Sequence, residues 1–276
     1  MGIIASRQEK YSCPNLACLF SVKPTQPSRP VAPTKSAAQI RPPANRHDVK
    51  IRSTDDYQKT MKAKSTGIPE MFADQLSLLE AQFPSQRPEL WRRSKIHLEK
   101  HLQTAQPTEP VSLIFTAGHG AERTLHCLAQ SLASSFSSAL NASVLHIDGV
   151  KLDIDNQLRA AFDGDKPVAV IHRFEELPPG STLIFYRFCD HENAAYKRVF
   201  LLFTVLLPQD EVRGDQNLKE VEEMVQDYVK ERLVDSSNKI NFNEMDLDKF
   251  SGLWSRISHL VLPVVSERNV EQKGCR

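Results

Sequence analysis

The sequence lacks a long apolar run. No stretch of the 276 residues approaches the roughly 18 consecutive apolar residues that a membrane-spanning helix needs. A recognisable signal peptide is also missing, because Arg7, Glu9 and Lys10 interrupt the start and the apolar run at 16–22 is short. Taken alone, these absences predict a soluble chain with a cytosolic location.

The sequence also lacks the residues of a nucleotide site. After the first predicted strand it reads Gly118-His-Gly-Ala-Glu-Arg-Thr124, in which the lysine of a phosphate-binding loop is missing and the second glycine is misplaced. The acidic Glu122 in this loop would repel a phosphate. After the third predicted strand, His172-Arg-Phe-Glu175 stands where a nucleotide hydrolase carries acids that hold Mg²⁺. We therefore expect no nucleotide cofactor and no enzymatic activity of the chain itself.

Patterns typical of metal sites or nucleophilic catalysis are absent as well. The nine histidines are scattered, and Cys189-Asp-His191 has no second ligand pair at a matching spacing. No Gly-x-Ser-x-Gly nucleophile elbow occurs. Five cysteines leave at least one thiol unpaired, and Cys127, among core-facing residues of a predicted helix, is interpreted as a packed thiol. The sequence thus predicts no metal site.

The residues that are present divide the chain into two parts. Residues 1–68 carry 12 Lys and Arg against 4 Asp and Glu, a net charge of +8, which leaves −7 for the remainder. With seven of the 17 prolines and few apolar residues, this segment cannot bury enough surface to offset its ordering entropy. We predict a disordered basic tail before an acidic domain, and no nucleic-acid partner. The start of the tail also fits an N-myristoylation pattern at Gly2.

Residues 69–276 alternate between strand-like and helix-like patterns. Two predicted helices, at 68–83 and 88–102, precede five apolar runs that are predicted as strands: 111–117, 143–148, 167–172, 199–207 and 260–262. Helical periodicity fills the intervals, including a predicted helix at 181–188 and a long acidic one at 218–233. This alternation predicts an α/β fold, a mostly parallel sheet with helices on both faces that resembles a nucleotide hydrolase without its catalytic residues.

The segment 246–264 is predicted as a short helix followed by a strand, and the helix carries Arg256. Asp246 and Asp248 suit the start of a helix, and four apolar residues then share one face: Leu247, Phe250, Trp254 and Ile257. Arg256 points about 130° away from that face. A buried parallel strand at 260–262 follows. We expect Arg256 to be directed towards solvent or a partner.

Seven long stretches carry a resemblance to a known family: Leu90-Trp-Arg-Arg-Ser94, Leu98-Glu-Lys-His-Leu102, His172-Arg-Phe-Glu175, Pro179-Gly-Ser-Thr-Leu-Ile-Phe-Tyr186, Cys189-Asp-His-Glu-Asn-Ala-Ala195, Leu218-Lys-Glu-Val-Glu-Glu223 and Gly252-Leu-Trp-Ser-Arg-Ile-Ser-His-Leu-Val-Leu-Pro263. From about residue 88 to the end, the chain resembles the luminal domain of the torsin-interacting proteins, which comprise lamina-associated polypeptide 1 and its luminal-domain-like relative. The resemblance implies an AAA+-like domain that has lost nucleotide binding. It also implies a partner, an ATP-bound torsin ATPase in the endoplasmic reticulum lumen or the perinuclear space of the nuclear envelope.

Individual residues take roles from the same resemblance. Arg256 matches an arginine finger that is supplied in trans and stimulates ATP hydrolysis by torsin. Glu175 matches a motif position, and together with Trp254 is expected to support the fold near the interface. Cys189 and Cys275 match the family's disulfide.

Two features depend on where the chain resides. Asn141-Ala-Ser143 is an N-glycosylation acceptor pattern in a predicted surface turn, and it has meaning only in the secretory pathway. Family members have a membrane span before this domain, so membrane association would come through a segment not evident in this chain. In the cytosol the chain could not meet a luminal torsin, and its cysteines would stay reduced. The alternative is then a cytosolic adaptor or binding module, lipid-anchored at Gly2, without an activator role.

Overall fold

A parallel sheet lies at the centre of the domain. The computed structural model describes the backbone of residues 54–148, 153–234 and 245–275, and side chains from residue 67 onwards. Within these residues the sheet has five strands: β1 (Val111–Ala117), β2 (Val144–Asp148), β3 (Val168–His172), β4 (Phe200–Leu206) and β5 (Val261–Pro263). Their order is β2-β3-β4-β1-β5, and every pairing is parallel. The predicted α/β fold is confirmed.

Helices connect and cover the strands. The described α-helices are α1 (Thr54–Gln82), α2 (Pro88–Gln103), α3 (Glu122–Ala139), α4 (Ile154–Phe162), α5 (Pro179–Thr182), α6 (Phe185–Phe188), α7 (Leu218–Leu233), α8 (Leu247–Ile257) and α9 (Arg268–Lys273). The helix predicted at 181–188 is two single turns, α5 and α6. Helix α1 begins well before the predicted start near residue 68. The sequence did not predict this first part of the helix, because residues 54–67 are mostly polar and give no apolar periodicity. The predicted tail, residues 1–68, therefore overlaps the start of α1. Residues 1–53 of the tail, which include Gly2, lie outside the described residues.

The sheet separates two apolar cores. Neighbouring residues of a strand point to opposite faces, so Leu113 and Phe115 of β1 pack with α1, α2 and α3, whereas Ile114 packs with α4, α6, α7 and α8. Strands β1 and β4 are buried along their whole length, as expected for apolar runs covered on both faces. Strand β5 pairs only with β1 and forms an edge, a position where the missing N–H of Pro263 is tolerated.

Candidate functional site

The loop after β1 is closed by the chain's own backbone. The N–H of His119 donates to the carbonyl of Gln209 at 2.9 Å, and the N–H of Gly120 donates to the carbonyl of Asp210 at 2.8 Å. A phosphate-binding loop needs backbone N–H groups that point at the anion. Two donors that such a loop would offer to a phosphate are therefore already used by the segment that follows β4.

We expect Gly118→Ala to destabilise the fold by about 1–3 kcal/mol, the usual cost of forcing an extra group into a packed region. A Cβ at Gly118 would lie 2.5 Å from the carbonyl carbon and oxygen of Asp210 and from the carbonyl oxygen of Gln209. These are backbone atoms, which cannot rotate aside. Urea unfolding should be compared with Gly214→Ala, where a Cβ meets nothing within 4 Å. Equal unfolding midpoints for the two variants would contradict the close approach.

A carboxylate from the C-terminal helix occupies the start of α3. Glu271 Oε1 accepts from both the N–H and the hydroxyl of Thr124, each at 2.7 Å. The Thr124 hydroxyl oxygen also accepts from the N–H of Glu267 at 2.9 Å. A helix N-terminus favours an anion, and the chain supplies its own. Glu271 could not be predicted from the sequence, because it lies 147 positions from Thr124 and no local pattern marks it.

Arg173 binds the acids at the end of β3. Its guanidinium donates to Glu175 at 2.6 Å, to Glu122 at 3.1 Å and to Glu176 at 2.5 Å. Burial raises the pKa of Glu175, although the bond from Arg173 opposes the shift. Glu175 Oε1 also accepts from the N–H of Leu206 at 3.3 Å. These three acids are thus paired with a cation of the same chain, and Glu175 is a buried structural partner of Arg173.

A cavity of about 480 Å³ lies beyond the ends of β2 and β3. His126 and His172 line it, with ring centres 4.5 Å apart. The ring centre of His146 lies 5.6 Å from that of His172. Burial, followed by the charges of His126 and His146, lowers the pKa of His172 to about 4. At neutral pH the His172 ring is uncharged, so the cations that line the cavity are Arg123 and Arg173, and Arg173 is already paired with acids of the same chain.

Helix α8 holds Arg256 on a rigid support. Asp246 caps the helix by accepting from the N–H of Lys249 at 2.8 Å, in agreement with the predicted start. Four buried residues anchor it to the core: Phe250, Leu253, Trp254 and Ile257. Leu247 lies on the same side of the helix by its spacing, as predicted, but its side chain is 62% exposed, because the first turn lies beyond the packed part of the helix. Trp254 stacks on Phe250 and supports α8 from the core side.

The Arg256 guanidinium is oriented by three groups. Nε and Nη2 each donate to Asp190 Oδ2 at 3.3 Å, and Nη1 donates to the carbonyl of Gly252 at 2.7 Å. Its central carbon lies 5.0 Å from the centre of the Tyr186 ring, a cation–π arrangement. The side chain is 27% exposed. The guanidinium is thus held at the surface, with part of it accessible.

The residues that orient this guanidinium were not predicted from the sequence. Asp190 Oδ1 accepts from the N–H groups of Asn193 and Glu192 at 2.7 and 3.0 Å, and these bonds, followed by the arginine, lower the pKa of Asp190. The Tyr186 hydroxyl donates to the carbonyl of Lys249. Both Asp190 and Tyr186 lie inside stretches that carry the family resemblance, which was the only signal that could have found them.

Arg256 and the closed loop (residues 118–124) lie at opposite ends of the parallel strands, which are called here the amino edge and the carboxyl edge of the sheet. The Ser112 hydroxyl, near the start of β1, donates to the carbonyl of Ile257 at 3.0 Å, which places the end of α8 beside that end of the strand. The loop 118–124 follows the other end of β1. The seven residues of the strand, at about 3.3 Å each, separate the two by about 20 Å. Arg256 therefore cannot contribute to chemistry at the carboxyl edge of its own chain.

The disulfide joins Cys127 to Cys275, whose Cα atoms are 5.2 Å apart. The expected pairing of Cys189 with Cys275 is wrong, as is the interpretation of Cys127 as a free thiol. Cys127 lies on α3, against which α9 packs, and belongs to the core on one face of the sheet. Cys189 belongs to the core on the other face, so the sheet itself separates it from the C-terminus. Burial raises the pKa of the Cys189 thiol, which stays uncharged.

Asn141 lies in an exposed turn after α3. Its φ of 53° is in the left-handed region, which asparagine tolerates better than most residues. The exposed position is what a glycosylation acceptor requires, and glycosylation stays a prediction. None of the described helices is long and apolar enough to cross a membrane.

Comparison with known proteins finds relatives over the same region. Residues 55–276 match the family described as lamina-associated polypeptide 1, AAA+ activator domain. Torsin-1A-interacting protein 1 from Homo sapiens is 42% identical over 230 residues, which cover 79% of this chain and 39% of that protein. The protein of the same name from Mus musculus is 42% identical over 227 residues, which cover 78% of this chain and 38% of that protein. The chain thus spans about two fifths of the length of these relatives.

Among solved structures, the S. cerevisiae Hsp104–ADP complex is similar to this chain with a TM-score of 0.47 and 14% sequence identity. The similarity covers 75% of this chain and 37% of that chain.

Proposed function

The chain belongs to the lamina-associated polypeptide 1 family, and on that premise we propose that it binds an ATP-bound torsin AAA+ ATPase and stimulates its ATP hydrolysis. In this proposal Arg256 is an arginine finger supplied in trans, and the chain itself is not an enzyme. The observation that carries the proposal is the position of Arg256, on a capped and anchored helix about 20 Å from the closed loop of its own chain.

The chemistry of the guanidinium suits this role. A finger stabilises the charge that develops on the transferring phosphoryl group, an effect of about 10³–10⁵ in rate in other systems. The guanidinium is always charged, and its planar set of N–H donors matches phosphate oxygens. In the free chain these donors contact Asp190 Oδ2 and the carbonyl of Gly252. Engagement of torsin-bound ATP would exchange some of these contacts for phosphate oxygens.

The carboxyl edge of the sheet supports a non-catalytic role. The donors of His119 and Gly120 are used internally, and the anion at the start of α3 is Glu271 of the same chain. In this proposal Glu175 and Trp254 support the fold and do not take part in the chemistry. Glu175 stabilises the carboxyl edge through Arg173, and Trp254 anchors α8 to the core. The contribution to hydrolysis would then consist of the arginine alone, with ATP and Mg²⁺ held by torsin.

The disulfide supports a location in the endoplasmic reticulum lumen or the perinuclear space. Disulfides persist in oxidising compartments and are rare in the cytosol, and Cys127 is bonded to Cys275. Glycosylation at Asn141 would follow from the same location. Treatment of the cellular protein with an endoglycosidase should shift its gel mobility, and Asn141→Gln should abolish that shift.

The proposal is tested by measuring ATP hydrolysis by purified torsin with and without the full chain. We expect the chain alone to hydrolyse no ATP, and its addition to raise the torsin rate. Binding to ATP-loaded torsin without any change of rate would contradict the activator role and favour an adaptor or binding module. Hydrolysis by the chain alone would contradict the non-enzymatic role.

We expect Asp190→Asn to reduce this stimulation by about three- to tenfold. Ordering a long side chain on binding costs about 0.5–1.5 kcal/mol, and the Asp190 carboxylate helps to order the guanidinium in advance. The asparagine keeps an oxygen for the N–H groups of Glu192 and Asn193, so the turn should remain intact. The measurement is the torsin rate at a saturating concentration of the chain. A higher rate with the variant would show instead that Asp190 restrains Arg256.

A further inference from the structure

Three side chains with metal-ligand chemistry meet at the amino edge of the sheet. They are Glu109 in the segment before β1, His191 after α6 and His259 before β5, and one ligand atom of each lies within 4.8 Å of those of the other two. Glu109 and His191 are 82 positions apart. The sequence predicted no metal site because ligands this far apart leave no local spacing to detect.

The three side chains already contact one another. Glu109 Oε2 is hydrogen-bonded to Nδ1 of His191, and the rings of His191 and His259 stack with centres 5.5 Å apart. Nε2 of His259 is buried and has no hydrogen-bond partner among the described residues. A buried polar atom without a partner is costly and calls for an explanation. A bound metal ion would provide that partner.

The ligand types and the geometry of the cluster suit zinc. Two imidazoles and one carboxylate are an established ligand set for Zn²⁺, with water in the fourth tetrahedral position. Ligand atoms around Zn²⁺ lie about 3.3 Å apart, so the cluster has to contract. His191 and Glu109 can rotate, because their side chains are 48% and 40% exposed.

We propose that Glu109, His191 and His259 bind Zn²⁺. The ion would join the segment that contains His191 to the segment that contains His259, and these two segments also carry Asp190 and Arg256. His191 directly follows Asp190, and His259 lies three positions after Arg256. Bound zinc would therefore hold together the two parts of the chain whose side chains form the Asp190–Arg256 pair. The metal site itself does not depend on whether the chain activates torsin.

Titration of the full chain with ZnCl₂ by isothermal calorimetry at pH 7.5 tests the proposal. We expect one ion per chain with a dissociation constant of about 10 μM or below, and at least a tenfold weakening for Glu109→Gln and for His191→Ala, because the loss of a group that only supports a metal ligand already costs about 10–100-fold in affinity. Both positions are partly exposed, so the fold should survive. His119→Ala, at an exposed histidine on the opposite edge, is the matched control and should bind zinc like the wild type. No saturable binding below about 100 μM, or wild-type affinity in both ligand variants, would overturn the proposal.

Hydrogen exchange gives a second readout that does not depend on any partner. Saturating ZnCl₂ should slow amide exchange at residues 190–193 and 258–260 in the wild type, and should leave residues 118–124 at the far edge unchanged. The same addition should have no effect on Glu109→Gln. Unchanged exchange in the wild type at residues 190–193 and 258–260 would place any bound ion elsewhere and contradict the assignment.

Discussion

Arg256→Ala should abolish the stimulation of torsin and leave the torsin complex intact. The variant removes the guanidinium while α8 keeps its cap and its buried face, so the docking surface should be preserved. Because an arginine finger contributes about 10³–10⁵ in rate in other systems, the torsin rate with this variant should fall to the value measured without any activator. The measurement is ATP turnover by torsin at a saturating concentration of the chain, together with binding to ATP-loaded torsin.

Two further variants make the experiment specific to the finger. Arg256→Lys keeps the charge but loses the planar donor set, so it should restore little of the rate. Arg232→Ala removes an exposed arginine from α7 and should stimulate like the wild type. Full stimulation by Arg256→Ala would contradict the finger, and loss of binding together with loss of rate would make Arg256 a docking residue instead.

Cys275→Ser should lower the free energy of unfolding by about 2–5 kcal/mol, the usual cost of removing a native disulfide. The bond between Cys127 and Cys275 spans 148 positions, and it restricts the unfolded chain over most of the domain. Cys275 is exposed, so serine should leave no cavity in the core. The measurement is urea unfolding of the full chain in an oxidising buffer.

Reductant provides the matched control for the disulfide. Wild-type protein in the presence of reductant should unfold at the urea concentration at which Cys275→Ser unfolds, and the variant should not respond to reductant. A wild-type midpoint that is the same with and without reductant would show that the bond adds no stability. Loss of the bond should also free α9, which presents Glu271 to the start of α3.

The sequence by itself determined most of the sheet and the position of the arginine. Strand β1 and helix α7 begin and end where the sequence predicted, because their apolar pattern coincides with their burial. The Asp246 cap and the apolar face of α8 likewise depend on contacts within a few positions. Periodicity was insufficient for the start of α1, where residues 54–67 are mostly polar.

Only the tertiary structure decided which residues act together. The partner of Cys275 depends on which face of the sheet each cysteine occupies, and no pattern in the sequence shows that Cys127 and Cys189 lie on opposite faces. Asp190 meets Arg256 across 66 positions, and Glu271 meets Thr124 across 147. Local structure is set by neighbours along the chain, whose spacing can be read directly. Contacts between distant segments are set by packing of the whole domain, and no spacing in the sequence records them.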